Sequence, residues 1–464
     1  MEKKRKKRIL LLSDDMRLHS GIATVSKEMV LNTVHKYDWV QLGAAVKHPD
    51  AGKYFDVSES IAEESGVADA NVRIIPFSGY GNQEILRHLI VTEQPDAILH
   101  FTDPRFWDWL YAMEDEVRRH IPIMYLNIWD DLPDPQWNAP FYASCDLLMG
   151  ISKQTYGINK RVLDKFGEKF DDWQIKYVPH GVSKKFRPIQ SDSDEFTKVT
   201  ELKDKMGITD KKFVVLWNNR NIRRKNPGDV ILAYKELCDG LTKEEANDCV
   251  LLLHTALVDP NGTDLPEVIK HICPDYDVVF THSHFSTDEL NLLYNLSDVT
   301  INMASNEGFG LATCESMAAG TPIIVNVTGG MQDQCGFTVN GKFLTADDYI
   351  ELGSLHNRKT LPENLSWGSW VKPVWPSNRS LQGSPQTPYI FDDRCSFEEV
   401  GKVLRQWYDM DNETRIQCGL EGSEFASSVE SGMSAKNMGN RFVEAMDGTF
   451  ANWSPKNEIN LWKI

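Results

Sequence analysis

Short apolar runs alternate with longer amphipathic stretches along most of this 464-residue chain. Runs at 9–12, 39–42, 72–76, 97–100, 122–127, 147–151 and 175–178 are apolar nearly throughout and predict strands. Between them, 23–34 and 82–93 place apolar residues at helical spacing. The pattern then repeats, with strands predicted at 213–217, 250–254, 278–281, 299–302 and 322–326. Helices are predicted at 227–238, 287–297 and 311–319. Strands without a polar face, separated by helices, predict parallel sheets covered on both sides. The fold class is therefore α/β, with two doubly wound, Rossmann-like domains joined near "VPHGVSKKFRPIQSDSD". The expected borders are 1–182 and 183–439, with the C-terminal segment from about 440 to 464 packing back on the first domain. Ligands of such sheets bind beyond the carboxyl ends of the strands, which predicts a site in an interdomain cleft. One stretch breaks the alternation. An aromatic and Pro-rich insertion at about 336–390 includes "LSWGSWVKPVWPSNRSLQGSPQTPY", which reads as a long loop suited to ligand contact, edge cover or a subunit interface.

Composition narrows this picture. A chain that is 41% hydrophobic and 25% charged has an ordinary globular balance and enough length for two or three domains. Its eight cysteines form no CxxC pair, which argues against a zinc site or disulfide framework and fits a reducing, cytoplasmic setting. A net charge of −17 opposes nucleic acid and anionic lipid. The basic run from Lys3 to Arg8 is the local exception, either a solvated tail or a point of peripheral membrane or nucleic-acid contact. The apolar run behind it is four residues long, too short for a membrane span or a signal-peptide core.

Chemistry concentrates at "NEGFGLATCESMAAGTP", 306–322. Gly308 and Gly310 bend the chain, and from Leu311 it reads as a small-residue helix. Backbone N–H groups at such a helix start suit a phosphate. Glu307 and Glu315, on either side, suit hydroxyl groups near each end of that phosphate. After the strand "FVVLW" comes "NNRNIRRKNPGD", where Arg220 and Lys225 suit the two phosphates of a diphosphate and Arg223 and Arg224 read as solvated neighbours. Asn226 and Pro227 are placed to cap and start the next helix. The "DYD" at 275–277 resembles a metal-binding DxD but follows Pro274, and reads as a turn.

These elements together resemble retaining glycosyltransferases of the group 1 type (family 4), which have the GT-B architecture of two facing doubly wound domains. The resemblance rests on the E-x7-E element of Glu307 and Glu315, the Arg220 and Lys225 pair, and "VPHGVSKKFRP". "HSGIATVSKEMV" and "STDELNLLYNLSDVTINMAS" add to it, and together they cover most of 8–330. It implies that Glu315 holds ribose hydroxyls of a nucleotide-diphosphate sugar. Glu307 and the backbone of Gly308, Phe309, Gly310 and Leu311 would hold the transferred sugar and β-phosphate. Arg220 and Lys225 would neutralise the departing diphosphate, Gly21 would permit close approach, and the base would lie near 280–282. Front-face substitution with no cofactor and no metal follows from the same resemblance, the cationic side chains and the helix start doing a cation's work.

The chain departs from the family at "YLNIWDDLPDP", where Trp129 stands at the expected histidine and Asp130 becomes the polar contact. His100 and Asp103 are further candidates for the sugar or acceptor. Phe106, Trp107, Trp109, Trp137 and Tyr142 are aromatics that would line an acceptor side. The acidic composition favours a saccharide or other hydroxyl acceptor; a DNA base stays open, and oligomeric state is not legible. The rival readings are a sugar-nucleotide epimerase or phosphorylase on the same architecture, or a non-catalytic sugar-nucleotide-binding module.

Overall fold

In the structure, a computed structural model that describes residues 5–45, 47–281 and 284–456, the chain divides into two units. The first comprises 1–129, 134–181 and 435–464; the second comprises 130–133 and 182–434. Each is built around a sheet whose central strands have no exposed face.

The first unit holds β1 (Lys7–Asp14), β2 (Tyr37–Ala45), β3 (Phe55–Asp56) and β4 (Val72–Ser78). It continues with β5 (Ala97–Phe101), β6 (Ile123–Asn127), β7 (Leu147–Gly150) and β8 (Ile175–Tyr177). The sheet order is β3-β4-β2-β1-β5-β6-β7-β8, parallel except for the β3–β4 pair. Ile9, Leu10, Leu11 and Leu12 are all fully buried, because helices cover both faces of β1 and leave no polar side to the strand. The helix Ala435–Asn452 belongs to this unit and packs on the helix Gly21–Thr33. A Cβ at Gly439 would come within 2.8 Å of Asn32, and the Tyr37 hydroxyl donates to Asp447 at 2.8 Å. Arg5 and Lys6 of the basic run pair with Asp96 and Asp69 of the same unit, whereas Lys3 and Lys4 lie outside the described residues.

The second unit holds β9 (Phe213–Asn218), β10 (Cys249–His254), β11 (Val278–Phe280), β12 (Val299–Asn302) and β13 (Ile323–Asn326). The short strands β14 (Thr338–Val339), β15 (Lys342–Phe343) and β16 (Leu365–Ser366) follow. Last come β17 (Val371–Val374), β18 (Asn378–Ser384) and β19 (Thr387–Arg394). Its main sheet runs β11-β10-β9-β12-β13-β17, all parallel. The alternation of apolar runs thus marks the α/β fold class, and each predicted strand and helix appears within a few residues of its expected ends.

The long loop expected at 365–389 is instead mostly strand. Val371–Val374 completes the main sheet as an edge strand, the position where Pro373 costs no ladder hydrogen bond. The 378–394 segment forms an antiparallel hairpin. Trp370 and Trp375 are buried, their indole N–H groups donating at 2.9 Å to the carbonyls of Gln334 and Leu355. They are core side chains rather than ligand contacts. Tyr276 and Asp277 of the DYD turn bond Asp239 and Lys211. Among the described residues no helix is long and apolar enough to cross a membrane.

Candidate active site

Two strand-to-helix loops of the second unit meet at the carboxyl ends of β9 and β12. The first runs from Asn218 to Pro227, which begins the helix Pro227–Asp239. The second runs from Asn302 to Gly310, which precedes the helix Leu311–Ala318. Asn226 does not cap its helix through its side chain. Its backbone takes a left-handed turn, φ +50°, and its buried amide donates to the Met303 carbonyl at 2.8 Å, tying the two loops together. The Ser305 N–H donates to the Arg224 carbonyl at 2.8 Å and adds a second tie.

At this junction the Lys225 ammonium contacts the Glu307 carboxylate, and both side chains are almost wholly buried. Arg224 joins them, donating to Glu307 at 3.0 Å and to the Asn306 carbonyl at 2.6 Å. Burial pushes the Glu307 carboxyl up, but Lys225 and Arg224 outweigh it and hold the group below its ordinary range. For Lys225 burial wins and, with the Arg224 charge, lowers its pKa, although Glu307 pulls the other way. The result is a preformed cationic pair around one ionised glutamate.

Asp130 lies in the field of Arg224 and Glu307 and is raised by burial, with Arg224 opposing the shift. Its neighbour Asp131 is raised well above the ordinary value by burial and then by Asp130, and it accepts a hydrogen bond from the Asn306 amide. Two adjacent buried carboxyls of this kind hold a proton more readily than isolated ones.

Gly310 opens the helix Leu311–Ala318 at φ +87°, a conformation that favours glycine, and no side chain caps that helix. Phe309 is buried, so its side chain offers no surface there. Glu315 sits on the helix, its carboxylate accepting from the Tyr294 hydroxyl at 2.7 Å, which in turn accepts from the Asn218 amide at 2.8 Å. Burial raises the Glu315 carboxyl to about 7, the Tyr294 hydrogen bond acting against the shift.

The sequence pairs Arg220 with Lys225, but the structure does not bring Arg220 to Glu307. Its exposed guanidinium rests on Asp259 at 3.0 Å. Arg224, expected as a solvated neighbour, does keep a side chain that is 45% exposed, but it also reaches Glu307, beside the buried Lys225 and Asn226. Near the expected base position, Thr281 bonds His254 at 2.6 Å, and His282 lies outside the described residues. His254 is lowered to about 4 by burial and then by His284, so its ring is neutral.

Four candidates belong to the first unit, where each follows or ends a strand. Gly21 is the exposed first residue of its helix, behind an N-cap at Ser20 whose hydroxyl accepts from the Ala23 N–H at 3.1 Å. His100 is not a ligand contact. It is fully buried on β5, bonded to Tyr111 at 2.6 Å and Thr102 at 3.0 Å and stacked on Tyr125, and burial lowers it to about 3. Asp103 is half-buried and paired with Arg105. Trp129 follows β6, its N–H donating to Asn127 at 3.0 Å and its ring edge-on to Trp137. Trp107 and Tyr142 are core side chains, whereas Phe106 is exposed and stacks on Tyr80 at 4.8 Å.

Residues 198–353 match the profile of the family described as "Glycosyl transferases group 1". The chain is 27% identical over 238 residues to an alpha-monoglucosyldiacylglycerol synthase of Acholeplasma laidlawii, covering 51% of this chain and 55% of that protein. It is 26% identical over 224 residues to a D-inositol 3-phosphate glycosyltransferase of Xylanimonas cellulosilytica, covering 47% and 50%. The chain thus spans about half the length of these curated relatives. Among solved structures, HepE of Anabaena in complex with UDP and glucose superposes with a TM-score of 0.62 at 12% identity, over 95% of this chain and 99% of that one. Sucrose-phosphate synthase of Thermosynechococcus elongatus gives 0.63 at 14% identity, over 96% and 100%. At these identities the likeness establishes the fold, which is GT-B.

Proposed function

We propose that this chain, whose residues 198–353 match the group 1 glycosyltransferase profile, moves a sugar from a nucleoside-diphosphate sugar to a hydroxyl acceptor with retention of anomeric configuration. The observation that carries the reading is the convergence of buried Lys225 and of Arg224 on Glu307, beside the uncapped helix start at Gly310. Such a place favours an anion with hydroxyl groups attached.

In this account the ribose hydroxyls donate to Glu315 and a sugar hydroxyl donates to Glu307, while the β-phosphate meets the backbone from Gly308 to Leu311. The C1–O bond to the phosphate breaks as the C1–O bond to the acceptor forms on the same face. The acceptor proton passes to the departing phosphate oxygen. Negative charge grows on that oxygen, and Lys225 and the helix start stabilise it most in the transition state. Asp130, in the field of the same cations, is assigned to a donor or acceptor hydroxyl. Lys225, the arginines and the helix start supply the positive charge, so the account calls for no metal.

The exposed Arg220 is proposed to leave Asp259 for the diphosphate, since a surface ion pair of this kind contributes only about 0–1 kcal/mol. Arg220→Ala is therefore expected to lower transfer about ten- to a hundredfold with an unchanged Tm. Arg224→Ala is expected to lower both transfer and Tm, because Arg224 also fixes Asn306. Unchanged kinetics in Arg220→Ala would remove that residue from the site.

The relatives' names suggest UDP-glucose as the first donor to try, with sugars, inositol phosphate and diacylglycerol lipids as acceptors. Turnover is followed by nucleotide release across UDP-, GDP- and ADP-sugars, and product configuration by the anomeric proton coupling. A product with retained configuration is expected. An inverted product would overturn the mechanism, and release dependent on inorganic phosphate would indicate a phosphorylase.

A further inference from the structure

Behind the glycine turn lies the segment Thr328 to Gln334, which the reaction as described does not use. Gly329 and Gly330 approach so closely that a Cβ would stand 2.0 Å from the Glu307 carbonyl oxygen and 2.2 Å from that of Gly308, respectively. The Gly330 N–H donates to the Glu307 carbonyl at 2.9 Å. Gln334, fully buried on the short helix Met331–Gln334, uses its amide nitrogen twice, donating to the carbonyls of Phe309 at 2.7 Å and Gly310 at 2.9 Å.

A trans peptide unit is planar, with its N–H opposed to its C=O. Carbonyls of Glu307 and Phe309 that are drawn toward this segment therefore turn the N–H groups of Gly308 and Gly310 away from it, to the side where the phosphate is expected. The Gly310 carbonyl is shared with its own helix, accepting also from the Cys314 N–H at 3.1 Å and the Thr313 hydroxyl at 3.0 Å. Simple packing does not account for Gln334. Its amide oxygen is buried without a hydrogen-bond partner, a cost that an apolar side chain of similar volume would not carry. The two carbonyls also fix which end of the amide faces them, because an oxygen there would meet only acceptors.

We propose that Gln334 is a positioning residue for diphosphate recognition: by holding the Phe309 carbonyl, and bracing the Gly310 carbonyl that the helix start also holds, it aims the amides of the turn at the β-phosphate and thereby sets the preference for nucleoside diphosphates over monophosphates. This rests on the donor-site reading above. Gln334→Leu keeps the volume and removes both donors. The affinity for UDP, GDP or ADP, whichever binds wild type, falls about ten- to a hundredfold, the scale of one or two charge-assisted hydrogen bonds. The affinity for the matching monophosphate stays within about threefold, a split that general loosening of the fold does not produce.

Hydrogen exchange on the wild type provides a measurement independent of any variant's folding. The diphosphate protects the amides of 308–312 and the monophosphate does not. If no nucleoside diphosphate binds wild type, the donor-site reading itself fails. If one binds without protecting 308–312, the backbone contact of the donor-site reading fails and the positioning role falls with it. If those amides are protected but Gln334→Leu weakens both nucleotides equally or neither, the positioning role is wrong and the donor site stands.

Discussion

Lys225→Ala is expected to cut sugar transfer about a hundred- to a thousandfold, the scale on which preorganised charge acts in a buried site. Two losses combine. The ammonium proposed to meet the departing phosphate disappears, and Glu307 keeps only Arg224 as a cationic partner. Burial already pushes the Glu307 carboxyl upward, and without Lys225 that pressure is opposed by one charge instead of two. Breaking a buried ion pair from one side costs about 3–5 kcal/mol, so Tm falls as well. Lys225→Met keeps most of the packed stem and separates the effects: transfer stays low while part of the stability returns. Steady-state kinetics and thermal unfolding of the two variants check this. Near-normal turnover in Lys225→Met would remove the lysine from leaving-group stabilisation.

Glu315→Gln is expected to weaken nucleotide binding about ten- to a hundredfold and to flatten its pH dependence. In the wild type the carboxyl is raised to about 7 by burial, with the Tyr294 hydrogen bond opposing. Only the ionised form accepts two ribose hydroxyl bonds. Affinity should therefore be level above that pKa and fall about tenfold per pH unit below it. The empty protein responds in the opposite sense. A carboxyl whose folded pKa exceeds its ordinary value of 4.5 favours folding at low pH, and that contribution is lost as pH rises from about 4.5 to about 7. Calorimetric titration of wild type and variant with the same nucleotide across pH 6–8 reads both slopes. A wild-type affinity flat over that range would contradict the assignment of Glu315 to the ribose.

Much of this architecture is legible in the sequence, for a simple reason. Strands such as 9–12 and 250–254 are apolar on both faces, and a strand of that kind has few places to go except the middle of a covered parallel sheet. The glycine turn is legible because Gly310 needs a conformation that other residues avoid. Side-chain direction is less so. Nothing in "NNRNIRRKNP" tells Arg220 from Arg224, because both lie in the short connection after β9 whose path is set by Asn226 reaching across to Met303. Gln334 carries no local signal at all, since its partners lie more than twenty residues back along the chain. The 371–374 strand hides behind Pro373, which argues against a strand unless that strand is known to lie at an edge. His100 shows the converse: a histidine at a strand end looks available until Tyr111 and Thr102 occupy both ring nitrogens.

The central claim is that the Lys225, Arg224 and Glu307 junction receives a nucleoside-diphosphate sugar. Isothermal titration of wild type and Lys225→Met with UDP-glucose, and with GDP- and ADP-sugars in parallel, tests it most directly. The account predicts one-to-one binding of one nucleotide class to wild type, weakened at least tenfold in the variant. Equal affinity in both proteins, or no binding of any donor to wild type, would contradict it.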